Sequence, residues 1–183
     1  MKKLPALFST KSVLLLLFSF IALSLSAQKE KKDRRLVEDA RDGKKDFIHT
    51  DKLMKNLFDS AYGYVLFPTV GKGAVGVGGA AGNGVLFEKD SALGKAKLAQ
   101  LTVGFQLGGQ AYREVIFFED KATFDRFKEN KFEFSAQASA VAAKSGASAN
   151  VKYTNGVMIF TQQKGGLMYE ASIGGQKFTY TPF

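Results

Sequence analysis

The residues best suited to acid–base or metal chemistry are scarce in this sequence. His49 is the one histidine, it lies two positions before Asp51, and the chain contains no cysteine. A serine or threonine nucleophile would have only the His49 imidazole as its base, and a metal would lack a second ligand at suitable spacing. The carboxylate pair Glu119–Asp120 is better explained as a helix start. We therefore predict no catalytic residues, no metal site and no enzymatic activity.

One glycine motif formally matches a nucleotide-binding loop. Residues 71–76 read GKGAVG, which fits GxGxxG, but residues 77–82 are too rich in glycine for the helix whose N-terminus would bind a pyrophosphate. A Walker-type loop is excluded because Gly73 follows Lys72 where Ser or Thr is required. The motif is explained better as a twisted strand, and we predict no cofactor.

Basic residues offer the clearest binding chemistry. The chain carries 26 Lys and Arg against 17 Asp and Glu, and residues 28–183 alone carry a net charge of +6. This balance suits attraction to anionic lipid head groups or other phosphates, and ordinary solubility charge is the alternative. Lysines gathered on one rim would form a phosphate-binding edge. We expect Lys95 and Lys97 near a turn at Gly94, and Lys144 and Lys152 on either side of a Ser145–Gly146 turn. The candidate lipid-binding residues are Lys72, Lys95, Lys97, Arg113, Lys144 and Lys152.

The elements that must position these residues begin after a predicted signal peptide, residues 1–27. Lys2, Lys3 and Lys11 precede an apolar stretch that ends in small residues, which is typical of a secretory leader. An uncleaved anchor is the alternative, and cleavage after residue 26 or 27 fits. We expect an exported protein, periplasmic or extracellular, and without cysteine it cannot be a Cys-anchored lipoprotein.

Composition divides the remainder into a charged helical lead, residues 28–60, and a glycine-rich β domain, residues 61–183. The lead contains only one of the 19 glycines. Apolar residues spaced as on one helix face predict helices over residues 36–48 and 53–61, the second with Thr50 as N-cap. In the β domain, Asp120 is expected to cap a helix over residues 121–130, whose inward side chains are Phe124 and Phe127.

Alternation of apolar and polar residues predicts half-buried strands in the β domain. Fully apolar runs predict two strands covered on both faces, residues 115–118 and 157–160. Hairpin turns are expected where glycine follows Asn or Gly, at residues 83–84, 155–156, 165–166 and 174–175. The alternating segments are residues 101–107, 132–140, 147–153 and 167–173. The predicted fold is α+β, a β-rich antiparallel sheet or barrel with N-terminal helices and one inserted helix.

The β domain resembles the SYLF family of lipid-binding modules. Its order of motifs is similar to that of the family, with AYGYVLFP at residues 61–68, GKGAVGVGG at 71–79, GNGVL at 82–86, GFQLGGQ at 104–110, and further glycine pairs at 165–166 and 174–175. The resemblance covers residues 61–183 and implies binding of phosphoinositides or other anionic lipids. For yeast members it implies actin binding, which has no role for an exported bacterial protein.

Two departures from the family pattern concern the lipid head group. The chain has no Trp where the family often has a Trp–Ser pair, and Asn83 stands where a basic residue is common. Lipid specificity is therefore not carried over. We predict a non-catalytic protein whose partner is anionic lipid or a membrane surface, with no nucleic-acid partner. The alternatives are an envelope protein-interaction module and a small outer-membrane β-barrel, the latter suggested by the terminal Phe183 but opposed by Pro182.

Overall fold

The computed structural model describes residues 10–75, 77–103, 110–134, 139–164 and 171–183. Its helices are α1 (Thr10–Thr50), α2 (Met54–Ser60) and α3 (Lys121–Lys128), with one 3₁₀ turn at Ala147–Asn150. Within these residues, no helix contains a stretch that is both long enough and apolar enough to cross a bilayer. The strands are β1 (Gly63–Val75), β2 (Val77–Glu88), β3 (Ser91–Val103), β4 (Gln110–Phe118), β5 (Ser139–Ala142), β6 (Val157–Gln163), β7 (Ala171–Ser172) and β8 (Lys177–Pro182).

The strands form one sheet in the order β7-β5-β6-β4-β1-β2-β3-β8. Every pairing is antiparallel except that of β5 with β6, where Val141 is opposite Phe160. Glu133, on the segment that leads to β5, also forms an antiparallel bridge with Lys177 at the start of β8. The α+β class is therefore confirmed, with a sheet that is mixed at one point.

The described chain divides into two units after Arg35, and the second unit is Leu36–Phe183. In the described part of the first, Arg34 Nη1 lies 3.5 Å from Glu30 Oε1, one helical turn away. The second contains the whole sheet and the last part of α1. The candidate functional site and the strands that position it lie in this second unit.

Helices cover one half of one sheet face, which we call the outer face. Strand alternation directs Leu66 and Val85 to this face, where Phe47 of α1 and Phe58 of α2 pack against them, all nearly or fully buried. A Cβ at Gly43 would lie 2.8 Å from Leu66 Cδ2, so glycine allows α1 to approach β1 closely. The helical stripes predicted for both segments are confirmed except at Leu53, which precedes α2 and is 43% exposed.

The opposite, inner face carries an aromatic core. Phe118 on β4 and Phe178 on β8 pack with Phe124, Phe127 and Phe132, at ring-centroid distances of 5.2–6.0 Å. As predicted, Asp120 caps α3, accepting the Thr123 N–H at 2.8 Å, and both inward phenylalanines are buried. The two strands predicted to be covered on both faces, within β4 and β6, also contribute to both cores.

Three local predictions were wrong. Thr50 does not cap α2: α1 continues through it, and its hydroxyl accepts from Gln162. Residues 83–84 lie inside β2, and the turn that follows this strand instead uses Lys89, which adopts a positive φ of 54°. The alternating residues 147–153 form the 3₁₀ turn and irregular chain instead of a strand.

Other predicted turns and strands have mixed outcomes. The 155–156 turn is confirmed, with positive φ at both residues, and Gly175 also has positive φ. The predicted strand 101–107 is seen as far as Val103, and 132–140 is seen at its two ends, as an isolated bridge and as β5. The glycine pair 165–166 and the first residues of 167–173 lie outside the described residues.

A buried carboxylate joins the α1–α2 junction to the 3₁₀ turn. Asp51 Oδ2 accepts from the backbone N–H and the hydroxyl of Ser148, at 2.9 and 2.7 Å, and Oδ1 accepts from the Leu53 N–H. Burial acts to raise the pKa of Asp51, but these hydrogen bonds outweigh it and hold the pKa below its ordinary value. The role of Asp51 is thus structural.

Candidate functional site

Within the described residues of the second unit, the helices leave the other half of the outer face uncovered. Along β2, Phe87 and Val85 lie buried beneath the helices, whereas Asn83 and Ala81, which alternate to the same side, are exposed. Because residues paired across strands share a face, the bare surface extends over β1, β3 and β8 as well. It forms a shallow cavity of about 650 Å³.

The first row of this surface is polar and basic. The strand register aligns Thr69 with Asn83, Asn83 with Lys97, and Lys97 with Thr179. From the end of β6, Lys164 reaches the same row, and its Nζ donates to Thr69 Oγ1 at 2.6 Å. Two ammonium groups therefore stand near hydroxyl and amide groups that can also bind a phosphate oxygen.

The second row is nearly flat. Gly71 is aligned with Ala81, Ala81 with Ala99, and Ala99 with Lys177. A Cβ at Gly71 would meet nothing within 4 Å, so the backbone here is open to approach. One pair further along β3, Leu101 is 83% exposed on the same side as Lys97.

We call this surface the lysine platform. Among the described residues that line its cavity none is acidic. Glu133 lies at its edge, with Oε2 at 3.6 Å from Lys177 Nζ, and both side chains are largely exposed, so their attraction is weak. The platform can therefore attract anions while offering an apolar contact. It comprises Thr69, Gly71, Ala81, Asn83, Lys97, Ala99, Leu101, Lys164, Lys177 and Thr179.

The structure brings two of the six predicted residues, Lys95 and Lys97, to one side of β3, but only Lys97 belongs to the platform. Lys95 and Lys97 alternate to the same side of β3, inside the strand and not at a turn, because Gly94 is itself a buried strand residue paired with Pro182. Lys72 pairs with the inward-facing Ala80 and so points to the opposite side of the sheet.

Arg113 has a structural partner. Its Nη2 lies 2.5 Å from Asp46 Oδ2 on α1, and its Nη1 donates to Gln162 Oε1 at 3.4 Å. This ion pair attaches the helix to β4. Arg113 is therefore part of the scaffold that covers the outer face.

Lys144 and Lys152 lie near β5 and β6, which are separated from β3 by four and three strands respectively. Both are exposed, and the expected turn lies between them. Lys152 lines a groove of about 880 Å³ together with Arg126, but Glu119 and Glu133 line it too. That mixture of charges does not form a cationic surface.

Sequence reasoning missed Lys164, Lys177 and Leu101 as platform residues. The alternation of Lys177 and Thr179 with the buried Phe178 indicated which side they face, but not which strand lies beside them.

His49, the residue considered for acid–base chemistry and metal binding, is exposed at the end of α1. No group of three or more His, Cys, Asp or Glu able to hold a metal occurs among the described residues.

The fold and this surface define an α+β protein with a mixed sheet. Helices cover one half of the outer face of this sheet, and the other half presents lysine side chains. Residues 99–181 match the Ysc84 family, described as Las17-binding protein actin regulator. The chain is also 35% identical over 127 residues, 68% of its length, to Beta cell expansion factor A of Aeromonas veronii. The match spans 48% of that relative, so the chain covers about half of its length.

These comparisons confirm the SYLF resemblance, because residues 99–181 match the Ysc84 (SYLF) domain. The matched region includes the platform residues of β8, together with Ala99, Leu101 and Lys164, whereas Thr69, Asn83 and Lys97 precede it. The family has lipid-binding and actin-regulating roles, which are consistent with a lipid, membrane or protein partner in general terms.

Proposed function

We propose that this protein is a non-catalytic, exported protein that binds anionic lipid at a membrane surface through the lysine platform. The observation that carries the proposal is the register that places Lys97, Lys177 and the exposed Leu101 on the same side of the sheet, on a surface that the described helices of the second unit leave uncovered. The membership of the family supports a lipid partner, and the platform supplies a surface for one.

The chemistry of the platform suits a membrane better than a single small solute. Its cations stand on a broad, shallow surface, so they can contact several phosphates at once without enclosing any of them. Each lysine near an anionic membrane contributes about 1 kcal/mol, and Leu101 can enter the interface. We infer attraction to anionic head groups, including phosphoinositide-like ones, that decreases with salt because exposed charges are screened.

Vesicle co-sedimentation tests this proposal. The purified protein is mixed with vesicles of phosphatidylcholine alone, or of phosphatidylcholine with phosphatidylglycerol, at low and high salt. We expect pelleting with the anionic vesicles at low salt, and less at high salt. Replacing two of the three platform lysines, Lys97→Gln with Lys177→Gln, should weaken binding roughly thirtyfold, since about 2 kcal/mol is lost.

The matched control is the double variant Lys144→Gln with Lys152→Gln, which removes the same charge away from the platform. It should lower binding far less than the platform variant. Equal losses in both variants would show that net charge acts without the platform, and equal, negligible pelleting in all conditions would refute lipid binding. Capture of a stoichiometric envelope protein without lipid would favour the interaction-module alternative.

A further inference from the structure

The inner face of the sheet contains a second group of polar residues, away from the platform. Register places Glu114 of β4 opposite Thr161 of β6, and Tyr112 opposite Gln163. Gln176, just before β8, completes the group. Glu114 and Gln176 are 0% exposed, and Thr161 and Tyr112 are 1% exposed, so these polar groups have been removed from water within an otherwise apolar core.

Hydrogen bonding within this group is incomplete. Gln176 Nε2 donates to Glu114 Oε2 at 3.0 Å and, at 3.4 Å, to the Tyr112 hydroxyl. Four buried oxygens have no hydrogen-bond partner among the described residues: Glu114 Oε1, Gln176 Oε1, Thr161 Oγ1 and Gln163 Oε1. Rotating the Gln176 amide would not help, because it would remove the donor that Glu114 has.

The group therefore has four buried oxygens without a partner and, among the described residues, no cation that compensates the Glu114 carboxyl. Burial raises the pKa of Glu114 to about 8, while the Gln176 hydrogen bond only partly opposes that rise. Burial also raises the pKa of Tyr112, the other titratable group beside Glu114. On β1, the residue paired with Glu114 is the uncharged Phe67. Buried polar atoms without a hydrogen-bond partner are costly, so the arrangement is one that a ligand could stabilise.

We propose that this oxygen cluster is a binding site for a small monovalent cation. One carboxylate matches one positive charge, whereas a divalent ion would leave a charge uncompensated in a dry core. Amide and hydroxyl oxygens can replace the hydration shell of an alkali ion, and ammonium could donate to the same atoms. The site stands on the inner face, so it does not depend on lipid binding at the platform.

Thermal unfolding of the full chain tests this site. Sodium, potassium and ammonium chloride are each titrated against choline chloride at constant ionic strength, because choline is too large for a packed core and has no N–H donor. We expect at least one small cation to raise Tm saturably by several degrees relative to choline. The rise should be larger at pH 9 than at pH 6, since the proton on Glu114 competes with the cation.

Three variants identify the site. Glu114→Gln should abolish the difference between the small cation and choline, and Thr161→Val, which removes one oxygen and keeps the shape, should reduce it. Glu119→Gln, an exposed acid, should retain it. The proposal is overturned if choline stabilises as well as the small cations do, or if the Glu114→Gln protein responds like the unmodified one; water alone would then satisfy the cluster.

Discussion

At the scale of single residues, Glu114 should control how stability depends on pH. Its pKa is raised by burial from an ordinary 4.5 to about 8. Between these values the unfolded chain has lost the Glu114 proton while the folded protein retains it. The free energy of unfolding should therefore fall as pH rises through this window, by up to about 1.4 kcal/mol per pH unit from this group, and level off above pH 8.

Glu114→Gln should remove this contribution and stabilise the protein at pH 7, by on the order of 1–3 kcal/mol. Urea unfolding in choline buffers from pH 5 to pH 9 measures both effects, with Glu119→Gln as the control that keeps the slope. A variant at Glu114 that loses stability, and still shows the full slope, would contradict the assignment of this titration to Glu114.

The sequence predicts the burial of Glu114 only in part. Glu114 alternates with the core residues Ile116 and Phe118, which indicates that all three face the same side of β4. The sequence did not reveal Gln176 as its partner, because that contact joins positions 62 residues apart. Alternation within a strand predicts which side a residue faces, whereas the contact depends on how distant segments pack.

At the scale of elements, two glycine turns provide a matched comparison. Gly156 and Gly146 both adopt left-handed backbone, with φ of 80° and 75°. A Cβ at Gly156 would lie 2.4 Å from Thr123 Oγ1 on α3, whereas one at Gly146 would meet nothing within 4 Å. Only the first turn therefore packs tightly against a helix.

Alanine at Gly156 should cost about 2–4 kcal/mol, from backbone strain and overlap together. Gly146→Ala should cost only the strain, about 1–2 kcal/mol. Urea unfolding of the two variants checks the difference. Equal losses would mean that the contact between this turn and α3 does not matter for stability.

The elements themselves could be predicted where local chemistry determines them. Asp120 precedes a helix whose Phe124 and Phe127 share one face, and both the cap and the burial follow from that spacing. Residues 83–84 show the limit, because Asn–Gly favours a turn only where the chain must reverse. Inside β2, a Cβ at Gly84 would lie 2.6 Å from Leu66 O on β1, so close packing of the neighbouring strand requires glycine here.

At the scale of the whole molecule, the lysine platform could not be read from the sequence. The polar row joins Thr69, Asn83, Lys97 and Thr179 from four strands, and each step depends on a pairing register. The extent of the uncovered surface also depends on where α2 and the last part of α1 stop covering the sheet. Composition predicted a cationic protein, but long-range pairing decides which cations stand together.

The platform should bind membranes by two separable contributions, and Leu101 reports the apolar one. Leu101→Ser should weaken binding to phosphatidylglycerol vesicles roughly three- to tenfold, because a partly inserted leucine contributes about 1 kcal/mol. It should leave the salt dependence unchanged, since no charge is altered, whereas Lys97→Gln should reduce that dependence. Leu53→Ser is the matched control, because Leu53 is 43% exposed but lies outside the platform. Co-sedimentation over a salt series separates the two contributions. Equal effects of the two leucine variants, or a changed salt dependence in Leu101→Ser, would show that Leu101 does not enter the membrane interface beside the lysines.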